Sequence, residues 1–339
     1  MDVSTGFPLQ AASVFAQHST MGTATDAAGN FTLRLTNGGY DLAITFTGYE
    51  TAVKRVSAND SANNNIVVML KQKEKAMEEI SIKTSNEVKD GLEKYGNFFL
   101  ENFIGKTHNS PLCVIKNKEA LKFYFSKKRN RLKVLAAAPL EIDNIALGYH
   151  IKYTLDSFTH DYNSSTSTFT GYPLFEEIAA ADSSIKSLWQ QNRLQAYNGS
   201  ILHFMRSVHT KKIKEEGFEI QFVVKSNGSD TAIKLGNFYG ALNYTKDDST
   251  QIVEMMPNQQ QMVVLYNNEE PDKEYLQQNE EKPKKFQLSM LSFPPAQYIA
   301  IEQNGFYYDQ NNLSISGYWA WEKVADMVPY DFQLNTLAK

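Results

Sequence analysis

At 339 residues the chain is long enough for two or more domains with cores of their own, and its net charge of −4 provides no basic field of the kind that nucleic acids select. A single cysteine, Cys113, excludes an intrachain disulfide framework, which fits the cytoplasm and also cysteine-poor envelope compartments. No apolar run approaches the roughly 18 residues of a membrane-crossing helix, while 18 Tyr and 20 Phe, many in alternating runs, favour a β-rich protein.

The first elements are short and β-like. Ala11, Ala12, Ser13, Val14 and Phe15 form one run of small and β-compatible residues, and residues 21–25 form a second, entered through Gly22. Asp26 to Phe31 reads as a turn, with the Asp26 carboxylate accepting backbone amides and Gly29 taking positive φ. Phe31, Leu33 and Leu35 then alternate with Thr32, Arg34 and Thr36, the period-2 pattern of a half-buried strand. Asn37, Gly38 and Gly39 turn the chain into a second alternating strand through Tyr40, Leu42, Ile44 and Phe46, and residues 66–70 read as the last strand. Such spacing predicts an antiparallel β-sandwich.

The ordered pattern P-L-x-x-A-S-V, G-T-x-T-D-x-x-G-x-F and G-x-Y-x-L-x-x-x-x-x-G-Y-E, carried by residues 8–14, 22–31 and 38–50, resembles the carboxypeptidase regulatory-like domain. The resemblance implies a transthyretin-like β-sandwich over residues 1–71. Members of that family usually begin with a strand of the type G-x-V-x-D, of which only Asp2 stands here, so the first strand is expected to be truncated, with any signal peptide in the missing part.

Between residues 71 and 94 half the positions are Lys, Glu or Asp, which marks 72–94 as a charged linker with a solvated face. Within it, residues 77–82 are similar to the segment that follows the same domain in TonB-dependent outer-membrane transporters. The plug and barrel of those transporters are not expected in the remainder, which is too short for a 22-stranded barrel. Residues 95–339 then read as a larger α+β region of mostly antiparallel strands packed against a helical pair. Phe98, Phe99, Phe103 and Ile104 before Gly105 predict a short helix. Strands are predicted over 112–115, 121–125, 132–136, 139–142 and 147–155, the second and third joined by a basic hairpin tip at 127–130. The strongest helical pattern runs from about Asp182 to Glu216, broken at Asn198-Gly199, with Glu215 and Glu216 at a solvated end. Strands over 218–224, 252–256, 262–266, 286–291 and 298–301 follow, then an Asn304-Gly305 signal for a type I′ hairpin and a last short helix from Trp319 to Val328. The stretches 189–204 and 317–331 are similar to a region that follows the same domain in Gram-negative envelope proteins.

The residues offer little chemistry. None of the six histidines has Glu three residues later, and H-E-x-x-H is absent, so a peptidase zinc site is not expected; no cofactor is expected either. G-x-S-x-G, the Walker loop and G-x-G-x-x-G are also missing. Cys113, between Leu112 and Val114, reads as a buried thiol acting as a small hydrophobe. Two candidate groups remain. Arg193, Tyr197, Ser200 and His203 form a polar stripe at helical spacing, read either as a network tying helix to sheet or as a ligand site. Tyr318, Trp319 and Trp321, with Tyr307 and Tyr308 nearby, form a candidate aromatic surface for sugars, although the spacing of the two tryptophans sends them to different sides of a strand or helix. The expectation is a non-enzymatic envelope protein, periplasmic or outer-membrane-associated, that binds protein or glycan partners and not nucleic acid. The alternative is a hydrolase of envelope glycans with a site assembled within 95–339.

Overall fold

The computed structural model describes residues 1–57, 65–73, 86–226, 228–308 and 310–334. The transporter-like segment at 77–82 and most of the expected linker lie outside these residues. Every ladder between described strands is antiparallel. Among the described residues, no helix is long and apolar enough to cross a membrane. Two compact units are present: one of residues 1–36, 40–192 and 331–339, the other of Asn37–Gly39 and Arg193–Tyr330.

In the first unit, β1 (Ser13–Ala16), β2 (Gly22–Ala24), β3 (Gly39–Thr45) and β4 (Ala52–Ser57) form a sheet in the order β2-β1-β3-β4. Val14, Phe15, Tyr40, Leu42 and Ile44 are buried on it, and because Val14 and Phe15 are neighbours the sheet is covered on both faces there. At the expected strand 31–36 the apolar side chains are half-buried in alternation with exposed neighbours, but it joins no ladder among the described residues. Among the described residues 66–69 likewise join no ladder, and Leu70 forms a parallel bridge to Asp2. Asp2 anchors that end: its carboxylate accepts from Ser4, Thr5, Tyr49 and Gln72, and these bonds hold it far below the usual carboxylate range.

The same unit contains α1 (Gly91–Phe103), whose Phe99 and Phe103 are fully buried, and which ends ahead of Gly105 at φ +111. Six strands follow: β5 (Cys113–Ile115), β6 (Leu121–Ser126), β7 (Arg131–Ala136), β8 (Leu140–Asn144), β9 (Tyr149–Asp161) and β10 (Thr166–Glu177). β9 is long enough to pair with β8 by its first half and β7 by its second, while β10 covers its other edge. The turn after β1 joins β10 through His18 N–H to the Pro173 carbonyl, 2.8 Å, and Phe175 N–H to the Ser19 carbonyl, 2.9 Å. Cys113 is buried, in keeping with a thiol used as a hydrophobe.

The helical stretch is shorter than its pattern. α2 (Ser183–Tyr197) and α3 (Ile201–His209) are separated at Asn198-Gly199, and Asp182 accepts from Ile185 N–H at 2.9 Å. Helix ends at His209 because Lys211 takes φ +57; residues 210–217 are turns, closed by Gly217 at φ +88. In the second unit, β11 (Phe218–Ser226), β12 (Ser229–Ile233), β15 (Gln261–Tyr266), β16 (Gln287–Ser292) and β18 (Ser314–Gly317) form a sheet in the order β12-β11-β15-β16-β18. Between them in sequence lie α4 (Phe238–Ala241), α5 (Lys273–Gln278) and a three-stranded sheet of β13 (Thr245–Lys246), β14 (Val253–Met255) and β17 (Ile299–Ile301). The core of this unit joins Phe204, Met205 and Val208 of α3 to Phe218, Phe222, Met262, Val264 and Leu291 of the sheet.

Two turn expectations are corrected. Asn304 keeps negative φ, so the hairpin is not type I′; Gly305 N–H donates to the Glu302 carbonyl at 2.9 Å and Gly305 alone turns left-handed, at φ +86. The last helix, α6 (Tyr318–Trp321), is a single turn, because Glu322 is already extended at ψ 131.

Candidate functional site

The four residues of the polar stripe are all buried at the junction of α2 and α3. The junction explains their arrangement. Gly199 turns the chain at φ +72, which lets Ser200 open α3 as its cap. The Ser200 hydroxyl accepts from His203 N–H at 3.2 Å and donates to the Tyr197 carbonyl at 2.6 Å, so both its roles are taken by the backbone. His203 Nδ1 accepts from Gly199 N–H at 3.1 Å, which places the ring proton on Nε2, facing Glu216 Oε2 at 3.2 Å. Its ring packs against Tyr197, Phe218 and Tyr266 at centroid distances of 4.7, 4.9 and 5.8 Å. Burial pushes the His203 pKa down and outweighs the opposing effect of Glu216, so the imidazole is neutral. Arg193 is buried one turn before Tyr197. The guanidinium over the Tyr197 ring belongs to Arg206, 5.3 Å from the centroid, which also donates to the carbonyls of Asn304 and Tyr330 at 3.0 and 2.8 Å. Glu216, expected at a solvated helix end, instead reaches back to this histidine.

The expected aromatic surface is corrected. Tyr318, Trp319 and Trp321 are 5%, 8% and 8% exposed, too little for stacking on a sugar face. Their one-turn helix sends them apart. Trp319 lies against Phe204 at 5.2 Å and donates Nε1–H to the Gly199 carbonyl at 2.6 Å. Trp321 donates to Asp272 at 3.4 Å, and it and Tyr318 pack on Tyr275. Tyr307 and Tyr308 are buried as well.

No motif or spacing announces the carboxyl groups near this junction. Glu269 bonds Asn198 and Gln287, the latter at 3.3 Å, and burial raises its pKa to about 7. Burial, with Asp326, Glu269 and Asp272 nearby, also pushes Glu322 well above the usual range. Glu269 sits in an ordinary polar loop ahead of Pro271, and no local pattern distinguishes it from its exposed neighbour Glu270. A carboxyl that keeps its proton near neutrality is a proton donor in chemical terms. Neither group lines the cavities of about 480, 320 and 340 Å³, and among the described residues no two carboxylates line any one of them.

The raised pKa has a thermodynamic consequence. The unfolded chain loses the Glu269 proton near pH 4.5 and the folded chain near 7, so stability falls as pH rises through that window. Glu269→Gln removes the titration. The variant is expected to match the parent at pH 4 and exceed it by about 1–2 kcal/mol at pH 8, after allowance for solvent screening of a half-exposed group. Urea midpoints at the two pH values check this, and an equal difference at both would refute it.

Comparison with protein families matches residues 1–82 to the CarboxypepD_reg-like domain. No curated protein matches the chain, and no solved structure matches it.

Proposed function

We propose that this chain is a binding or scaffold module of a Gram-negative cell envelope, periplasmic or associated with the outer membrane, and that it acts through protein or glycan contacts without catalysis. The observation that carries this reading is the match of residues 1–82 to the regulatory-like domain, a β-sandwich whose described residues leave apolar side chains exposed. Val3, Phe7, Val67 and Met69 are each exposed on this domain, which makes them the apolar side chains available to a partner. The junction at Ser200 and His203 supports the same view, since its polar atoms are engaged with backbone and with one another.

The test is retention. The immobilised whole chain, exposed to a detergent extract of a Gram-negative envelope, is expected to hold a defined protein or glycan saturably, while heat-unfolded chain does not. No difference between the folded and unfolded chain would defeat the proposal. Release of reducing sugar from envelope glycan by the folded chain would favour the hydrolase instead.

A further inference from the structure

The hairpin of β6 and β7 is basic throughout. Between Leu121 and Leu135 its charged residues are Lys122, Lys127, Lys128, Arg129, Arg131 and Lys133, with no acid among them, in a chain of net charge −4. Arg131 is held by Asp161 at 2.6 Å. Lys127, Lys128 and Arg129 at the tip are exposed and join no ion pair among the described residues. The tip of the hairpin between β9 and β10 is fastened to this one: Tyr162 N–H donates to the Asn130 carbonyl at 3.0 Å, and Asn163 Nδ2–H to the Arg129 carbonyl at 3.2 Å. Aromatic rings gather at the same end. Phe123 of β6 and Phe158 of β9 are buried under α1, 6.2 and 5.1 Å from the ring of Phe99. Two residues on from Phe123 and four on from Phe158, the same faces present Phe125 and Tyr162, which are only half-buried, as are Tyr95 and Phe98 of α1. These four form one cluster, with Tyr95 on Phe125 at 6.0 Å, Phe98 on Tyr162 at 5.9 Å and Phe125 on Tyr162 at 5.9 Å. In the sequence the tip reads as a solvated turn because three of these rings come from outside the hairpin.

Unpaired cations on flexible stems beside partly exposed rings suit the headgroup layer of a bilayer, where lysine and arginine meet phosphates and tyrosine sits at the interface. We propose that this end of the sheet docks on a membrane surface carrying anionic phospholipid. Lys127, Lys128 and Arg129 meet headgroup phosphates, and Phe125 and Tyr162 sit at headgroup level behind them. The neighbouring acids do not cancel the tip. In residues 86–95 and 158–165, Asp161 is paired with Arg131 and Asp90 with Lys94 at 2.9 Å, while Glu87 and Glu93 have Lys89 between them in sequence. Other partners fit less well. A neutral sugar would leave three cations unused. A single nucleic-acid strand needs separate ring platforms for its bases, and these rings stack on one another. This inference rests on the envelope reading and adds a lipid partner to it.

Flotation of the whole chain with unilamellar vesicles is the test. Vesicles of phosphatidylcholine with about one third phosphatidylglycerol are expected to carry the chain, and pure phosphatidylcholine is not. Lys127→Gln, Lys128→Gln and Arg129→Gln together should weaken binding about a hundredfold, since each charge at an anionic surface contributes about fivefold. The same three charges removed at the exposed Lys225, Lys273 and Lys285 should leave binding within about twofold. Tyr162→Ser should weaken vesicle binding about tenfold and leave binding to soluble dextran sulfate unchanged. Hydrogen exchange of the β9 amides checks that this variant stays folded. Equal flotation with both lipids, full binding by the tip variant, or equal effects of Tyr162→Ser on vesicles and on dextran sulfate would each overturn the proposal, the last by making the tip a general polyanion site. A chain that retains an envelope protein or glycan but does not float loses this surface and keeps its proposed function, and flotation without a retained partner does the reverse.

Discussion

Replacing Trp319 by alanine is expected to destabilise the second unit by about 3–5 kcal/mol, the range for emptying the volume of a buried aromatic ring. The ring is nearly covered, packs 5.2 Å from Phe204, and belongs to the core that joins α3 to the sheet. Trp319→Phe separates the two contributions. It retains most of the apolar volume and removes the Nε1–H donor from the buried Gly199 carbonyl, a loss of about 1–3 kcal/mol. Hydrogen exchange of the β15 amides, deep in the same unit, gives the free energies without assuming that both units unfold together. If the alanine variant lost less than about 1 kcal/mol, Trp319 would be a surface residue and the sugar-platform reading would return.

The contrast between what was legible and what was not follows from range. β9 and β16 alternate buried with more exposed positions, as a strand with one face on a core does, whereas β3 buries both faces along Leu42, Ala43 and Ile44 and is marked by the alternation of its larger side chains. The break at Asn198-Gly199 was visible because a single residue type solves a local backbone problem. The pattern at Phe31, Leu33 and Leu35 marks a half-buried strand, and the burial does alternate there, but a ladder needs a partner strand, and no residue in 31–36 encodes whether one is present. The helix overran for a related reason: Ile213 belongs to the same core as Val208 and keeps the apolar spacing, although Lys211 has already left the helix. In the candidate site, spacing located Tyr197, Ser200 and His203 together. The capping that consumes the Ser200 hydroxyl is local, made by Tyr197 and His203, whereas the half-buried setting of Glu269 depends on Asn198, tens of positions away, which spacing could not show. Trp319 and Trp321 looked like a surface because aromatic residues serve equally as core and platform, and only burial decides.

Gly199→Ala tests the junction itself. The residue sits at φ +72, where an L side chain costs about 1–2 kcal/mol. A Cβ there would also stand 2.6 Å from Gln287 Oε1 and 2.6 Å from the Tyr266 ring, both inside the packed unit, so overpacking adds about 1–3 kcal/mol. Gly228 supplies the control: its φ is +81, and a Cβ would meet nothing within 4 Å. Gly228→Ala is therefore expected to cost about 1–2 kcal/mol, the backbone part alone, and Gly199→Ala about 2–5. Because Gly199 N–H fixes the tautomer of His203 and its carbonyl holds Trp319, the larger loss should come with a visible shift of the His203 ring signals in NMR. Equal losses at the two glycines would mean that the junction yields freely to a methyl group, and the tight packing of Gln287, Tyr266 and His203 around it would be refuted.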